Sequence, residues 1–267
     1  DTREIREAIR FPVEVAPAEY EVQLIRGAEV SPDKSKVAYQ ALGNIWVKEL
    51  FNKVGDDLDK FLVEKPPIRL TTSQDVFELD PSWSRDGRYV VFATWNDTEL
   101  GGIAIYDFKK KRLKKLQLEK GHYREPVFTP DGLSIVYRKM GGGWLRSPLW
   151  SAEQGLYRYN IKENLTEKIS DTGSNPHFAS ESDVLYSNEW RGGALTLQRI
   201  DIDTREKIQI AETEKGTEIR ISPDGKYLAF RTEHNAFVML NSAAGRSLKT
   251  GVKQVPGKKL SEFVGRD

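Results

Sequence analysis

One turn motif recurs five times along the chain, and no other feature restricts the fold as much. The fullest copy runs from Asp80 to Phe92 (DPSWSRDGRYVVF). Close copies are Glu125 to Tyr137 (EPVFTPDGLSIVY) and Glu218 to Phe230 (EIRISPDGKYLAF), with more worn ones at Gly27 to Tyr39 and Asn175 to Tyr186. Aligned on the acidic residue of the turn (Asp33, Asp86, Asp131, Glu181, Asp224), the copies lie 53, 45, 50 and 43 residues apart. Periods of this size belong to propellers or to helical arrays.

The local pattern decides between the two. Ahead of each turn, Glu29 and Gly27, Ser82 and Asp80, Val127 and Glu125, His177 and Asn175, and Arg220 and Glu218 share one face of a two-residue period. That face is mostly polar. The interleaved residues (Val30, Trp83, Phe128, Phe178 and Ile221, each with an apolar residue two places before it) form the buried face of a strand. In Ser222-Pro223-Asp224-Gly225, Pro presets φ, Asp bonds back to the backbone and Gly accepts a positive φ, so the chain reverses. A second strand carries an aromatic at one place (Tyr39, Phe92, Tyr137, Tyr186, Phe230), and third and fourth strands follow in most units. Apolar spacing of three and four residues, which helical repeats require, does not occur. The expected fold is therefore all-β: a β-propeller of four-stranded antiparallel blades. Five blades of a six-bladed whole are recognisable, at about 27–75, 76–120, 121–171, 172–213 and 214–257.

The flanks read differently. Residues 1–26 hold a strand-like region with apolar Ile5, Ile9, Phe11, Val13 and Val15, and 258–267 reads as the start of a further blade. The chain begins at Asp1 without Met and is expected to be a piece of a longer precursor. Uncovered blade edges in such a piece are expected to invite self-association.

Composition excludes several chemistries. There is no Cys, so disulfides, thiolate nucleophiles and Cys-bound metals are out. The 41 basic and 40 acidic side chains give a net charge of +1, which argues against nucleic acid as a partner. No apolar run approaches the roughly 20 residues of a membrane-spanning helix. The dense basic run Lys109 to Lys115 (KKKRLKK) reads as a solvated hairpin tip.

With these motifs in hand, the sequence resembles the TolB-type propeller family, whose repeat centres on an aromatic followed by Ser-Pro-Asp-Gly. A narrower resemblance rests on Pro81 to Gly87, Ala93 to Glu99 with Gly101-Gly102, Tyr123 to Phe128, Pro176-His177-Phe178, Ile221 to Gly225 and Lys259 to Phe263. These are similar to the propeller half of secreted bacterial proteins that join a propeller to a metal-dependent amidohydrolase domain. The resemblance implies a periplasmic or secreted, non-catalytic module for binding or scaffolding, whose partner is a protein, a peptide or a covalently linked catalytic domain. A free-standing TolB-like interaction protein is the alternative, and the propeller of a prolyl-oligopeptidase-type enzyme a minor one. The hydrolase's His-x-His metal motif is missing here, and His122, His177 and His234 are far apart. Neither catalytic residues nor a metal or other cofactor is expected in this chain, since a Gly-x-Ser-x-Gly elbow and a phosphate loop are also missing.

The candidate site is a polar ring around the propeller axis. Stacking the inner strands brings Asp80, Glu125, Asn175 and Glu218 to one level, with Ser82, His177 and Arg220 one pleat further along. Two long insertions, Phe51 to Pro67 and Met140 to Gln154, stand apart from the blades. Trp144, Leu145 and Trp150 in the second are costly to leave in water and are expected to contact a partner.

Overall fold

The computed structural model describes residues 22, 24–50, 66–73, 75–141, 153–214, 216–232, 235–241 and 258–259. The contact candidates Trp144, Leu145 and Trp150, and also His234, lie outside the described residues.

Among those residues there are twenty strands and no helix, arranged as five four-stranded antiparallel blades of a β-propeller. Blade one holds β1 (Arg26–Val30), β2 (Lys36–Ala41), β3 (Asn44–Glu49) and β4 (Ile68–Arg69). Blade two holds β5 (Phe77–Trp83), β6 (Tyr89–Asn96), β7 (Leu100–Asp107) and β8 (Arg112–Lys115). Blade three holds β9 (Tyr123–Phe128), β10 (Ser134–Lys139), β11 (Gly155–Asn160) and β12 (Leu165–Ser170). Blade four holds β13 (Ser174–Phe178), β14 (Val184–Arg191), β15 (Ala194–Asp201) and β16 (Lys207–Thr213). Blade five holds β17 (Gly216–Ile221), β18 (Tyr227–Thr232), β19 (Asn235–Leu240) and β20 (Lys258–Lys259). Its outer strand thus comes from Lys258–Lys259, which pair with Val238 and Phe237, beyond the boundary expected at 257.

The recurring turn joins the first two strands of a blade. The Ser84 hydroxyl donates to Asp86 at 2.5 Å and accepts from Tyr89 N–H at 2.9 Å, while Asp86 accepts from Arg88 N–H at 3.1 Å. The same bonds recur at Thr129 with Asp131, at Ser222 with Asp224 and at Ser31 with Asp33. Gly87, Gly132 and Gly225 close these turns at φ near 70°, whereas Lys34 adopts φ 60° in the first.

The core lies in layers between adjacent blades. Alternate residues of a middle strand serve opposite layers: Val90 and Phe92 pack toward blade one, Val91 toward blade three. Tyr137 and Phe230 sit in their blades as Phe92 does in blade two. Tyr186 does not. Its cross-strand partner is His177, and it packs with Ile219 and Ile221 toward blade five, so the place matching Phe92 belongs to buried Ser187. A shift of one residue along a strand exchanges its faces.

Among the described residues, each end blade packs against one neighbouring blade. Ala229 and Ala236 of blade five and Val30 of blade one are exposed, unlike their counterparts in the middle blades. Blades one and two are further tied by Glu78, which is buried and accepts from Ile45 N–H at 2.9 Å and from the Thr71 hydroxyl.

Candidate functional site: a channel of committed charges

The inner strands surround a polar channel of about 600 Å³. Asp80, Ser82, Glu125, Asn175, Glu218 and Arg220 all line it, as does Glu29. His177 does not.

The inner strands are not straight, which explains the geometry. The register slips once in each, between Leu79 and Ser82 in β5 and between Ser174 and His177 in β13, for example. An extra residue in one strand of an antiparallel pair is a β-bulge. In the first four blades the bulge places Gly27, Asp80, Glu125 and Asn175 at φ of 54°, 52°, 55° and 48°. Three of these precede Pro, a position that normally favours extended backbone. Left-handed backbone costs an L-residue about 1–2 kcal/mol, least for Asp and Asn. Blade five differs, because its slip falls between Gly216 and Glu218, and Glu218 pairs directly with Arg231.

The kink turns the Asp80 and Glu125 side chains toward the next blade. Asp80 Oδ2 accepts from Glu125 N–H at 3.0 Å, and Glu125 Oε2 accepts from Asn175 N–H at 2.7 Å. Glu29 does the same between blades one and two: Oε2 accepts from Trp83 N–H at 3.2 Å, and Oε1 from the Ser82 hydroxyl at 3.4 Å. Between blades four and five the link is His177, whose Nε2 accepts from Ile221 N–H at 3.0 Å. Asn188 adds a second link there, its amide accepting from Ile219 N–H and donating to Ile219 C=O. Of the expected ring residues, Asp80, Ser82, Glu125, Asn175 and His177 thus take part in staples between blades.

The staple at His177 fixes its tautomer. Nε2 accepts, so the proton sits on Nδ1 and is donated to the Asn175 carbonyl at 2.8 Å. Burial, helped by the Arg220 charge, drives its pKa down to about 4. The ring is neutral and both nitrogens are occupied, which takes His177 out of the set able to meet a channel ligand.

Asp80, Glu125 and Glu218 each also meet an arginine within the ring. Arg124 grips Asp80 through Nε at 2.5 Å and Nη2 at 3.1 Å, and Asp80 in turn holds the guanidinium's pKa up. Arg138 reaches Glu125 Oε1 at 3.4 Å, and Arg220 Nε lies 2.5 Å from Glu218 Oε1. Burial pushes the Glu29 carboxyl up against the pull of Arg220. Arg124, Arg138 and Glu29 were absent from the expected site. Arg124 stands directly before Glu125 in a strand that is otherwise largely apolar, and that signal was available.

The arrangement offers alternating donors and acceptors of balanced charge to whatever enters. No three or more His, Asp or Glu side chains converge as a metal site among the described residues. No helix among them is long and apolar enough to cross a membrane.

No family model matches the chain. By sequence it is similar to the Tol-Pal system protein TolB of Francisella tularensis subsp. holarctica (strain OSU18), 23% identical over 138 residues. That match covers 51% of this chain and only 29% of the relative. TolB of F. tularensis subsp. mediasiatica (strain FSC147) matches over the same shares. Among solved structures, TolB from Acinetobacter baumannii superposes with a TM-score of 0.61 at 18% identity, covering 82% of this chain and 52% of that one. An oligogalacturonate lyase in complex with manganese superposes with a TM-score of 0.62 at 11% identity, covering 84% and 64%. Likeness at this identity concerns fold, and one architecture carries many functions. The chain is thus a β-propeller with five blades among the described residues, similar to TolB in fold and over about half of its sequence.

Proposed function

We propose that the chain is a non-catalytic propeller module of the periplasm or secreted space, binding a protein or peptide segment at the channel mouth. The observation that carries this reading is that the channel's charges are already committed. Asp80, Glu125 and Glu218 each have an Arg partner, and His177 is neutral with both nitrogens bonded. Acid–base catalysis needs a group free to exchange a proton with substrate. A polypeptide needs alternating donors and acceptors, which this ring supplies.

The preferred context is the propeller part of a larger amidohydrolase-type hydrolase, the ring guiding access to a catalytic domain elsewhere in the protein. A free-standing TolB-like interaction protein is favoured by the sequence match to TolB. The reading frame after Asp267 separates the two: a metal-binding hydrolase domain supports the first, and a stop soon after supports the second.

Glu218 and Arg220 make no staple to another blade in the described residues, so they can be replaced without loosening the ring. A photo-crosslinking amino acid at position 218 should trap a polypeptide other than the chain itself, and Arg220→Ala should reduce the yield. Turnover of an ester, amide or oligogalacturonate by the purified chain would overturn the non-catalytic reading.

A further inference from the structure

Away from the channel, a groove of about 510 Å³ opens between blades two and three beside their turns. We propose that it is a docking site for an acidic polypeptide segment carrying one apolar anchor residue.

Register dictates the walls. Across blade two, Tyr89 stands opposite Asp107, and Asp107 opposite Arg112; Val91 stands opposite Ile105, and Ile105 opposite Lys114. Both rows face blade three, which contributes Phe128 and Ile161. An apolar floor therefore lies under a cationic rim of Arg112 and Lys114, with Lys110 at the adjoining hairpin.

Four cations (Arg85, Lys110, Arg112 and Lys114) line the groove against three carboxylates (Asp86, Asp107 and Asp131), and the carboxylates are held by local bonds. Asp107 is paired with Arg88 at 2.8 Å and caps Lys109 and Lys110 N–H; the attraction lowers its pKa to about 2. Asp86 and Asp131 are bound within their own turns. Lys110, Arg112 and Lys114 have no acidic partner among the described residues. The opposite face of the same strand shows the contrast, since Lys115 there is paired with Glu99 at 3.2 Å.

Two observations select a polypeptide among anions. Sugar or phosphate polymers carry no side chain to cover Tyr89 and Ile161, both half-buried. β8 is also the outermost strand of blade two, and no strand among the described residues pairs with its outer edge, which suits a further strand. An added strand gains main-chain hydrogen bonds, with side chains supplying specificity.

The test uses the whole chain and a short dye-labelled peptide of aspartates and glutamates around a single leucine, followed by fluorescence anisotropy. Saturable binding is expected, weakening as salt rises. Replacing the leucine by serine, or introducing Arg112→Glu with Lys114→Glu, should each weaken it by about tenfold or more, equivalent to about 1.4 kcal/mol. Lys115→Glu should leave it within about twofold, consistent with the small worth of an exposed ion pair. All three positions are exposed, so the variants fold, and an unchanged thermal midpoint verifies that. The proposal falls if the peptide does not saturate, if the serine peptide binds equally, if Lys115→Glu is as damaging, or if polygalacturonate or heparin binds with the leucine peptide's affinity and is equally weakened by the double variant.

Discussion

His177→Gln should flatten the acid limb of the stability curve. In the folded chain the imidazole accepts from Ile221 N–H and must stay neutral, with a pKa of about 4 against an ordinary 6.5. Unfolding releases it to its ordinary value. The neutral form is the one the fold prefers, so its contribution is complete above pH 6.5, is lost as pH falls toward 4, and changes no further below that. Between pH 8 and pH 5 this single group should remove about 2 kcal/mol, at about 1.4 kcal/mol per unit of separation between the two pKa values. Gln keeps an acceptor for Ile221 N–H but cannot titrate. Urea unfolding at both pH values and fixed ionic strength, followed by Trp fluorescence, gives the difference between wild type and variant. Other titrating groups, such as half-buried Glu29 and buried Glu78, cancel in that difference. His177→Phe provides the complementary measurement: it leaves Ile221 N–H unsatisfied at every pH, costing about 1–3 kcal/mol. A wild-type minus Gln difference that is flat from pH 8 to pH 5, or an imidazole proton resonance titrating near its ordinary value, would refute the staple.

Other expectations follow from the same geometry. Asp80→Ala removes the acceptor for Glu125 N–H and the partner of Arg124 while leaving a side chain at positive φ; a loss of about 2 kcal/mol is expected. Asp80→Gly relieves the backbone and should lose about 1 kcal/mol less, read from urea midpoints. Lys34→Gly supplies the residue that the matching turns already use and should stabilise by about 0.5–1 kcal/mol, seen as a higher thermal midpoint. Exposed Val30 of blade one and Ala229 and Ala236 of blade five should drive concentration-dependent self-association in sedimentation velocity; Ala229→Glu with Ala236→Glu should suppress it, and an unchanged sedimentation profile would contradict this.

Much of the fold is legible because its signals are local. Asp86 binds Ser84 and Arg88 N–H within a few residues, so the turn announces itself in sequence, and alternation on either side marks the strands. The channel lining is partly legible for the same reason. What escapes is long-range or counter to local preference. Nothing in Asp80-Pro81 or Glu125-Pro126 signals a left-handed residue, since Pro ordinarily pushes its predecessor the other way. The bulge redirects side chains, and with it His177 passes from channel candidate to blade contact. The pairing of Arg124 with Asp80 joins residues 44 positions apart, which no local period can reveal. Tyr186 shows the same weakness at shorter range: a one-residue slip in a worn copy sends an aromatic to the wrong layer.

Glu78 apart, which accepts backward from Ile45 N–H of blade one, the staples between blades share one direction. Glu29, Asp80, Glu125, His177 and Asn188 accept from a backbone N–H of the following blade. A stack joined in this way has unlike ends, as a polar filament does, one bearing side-chain acceptors and the other backbone donors. Contacts made with this chemistry match head to tail and never like with like, so they close by successive rotation rather than across a two-fold axis. Whatever seats itself against blade five by this means has to present a strand backbone, and whatever seats itself against blade one has to present an acceptor.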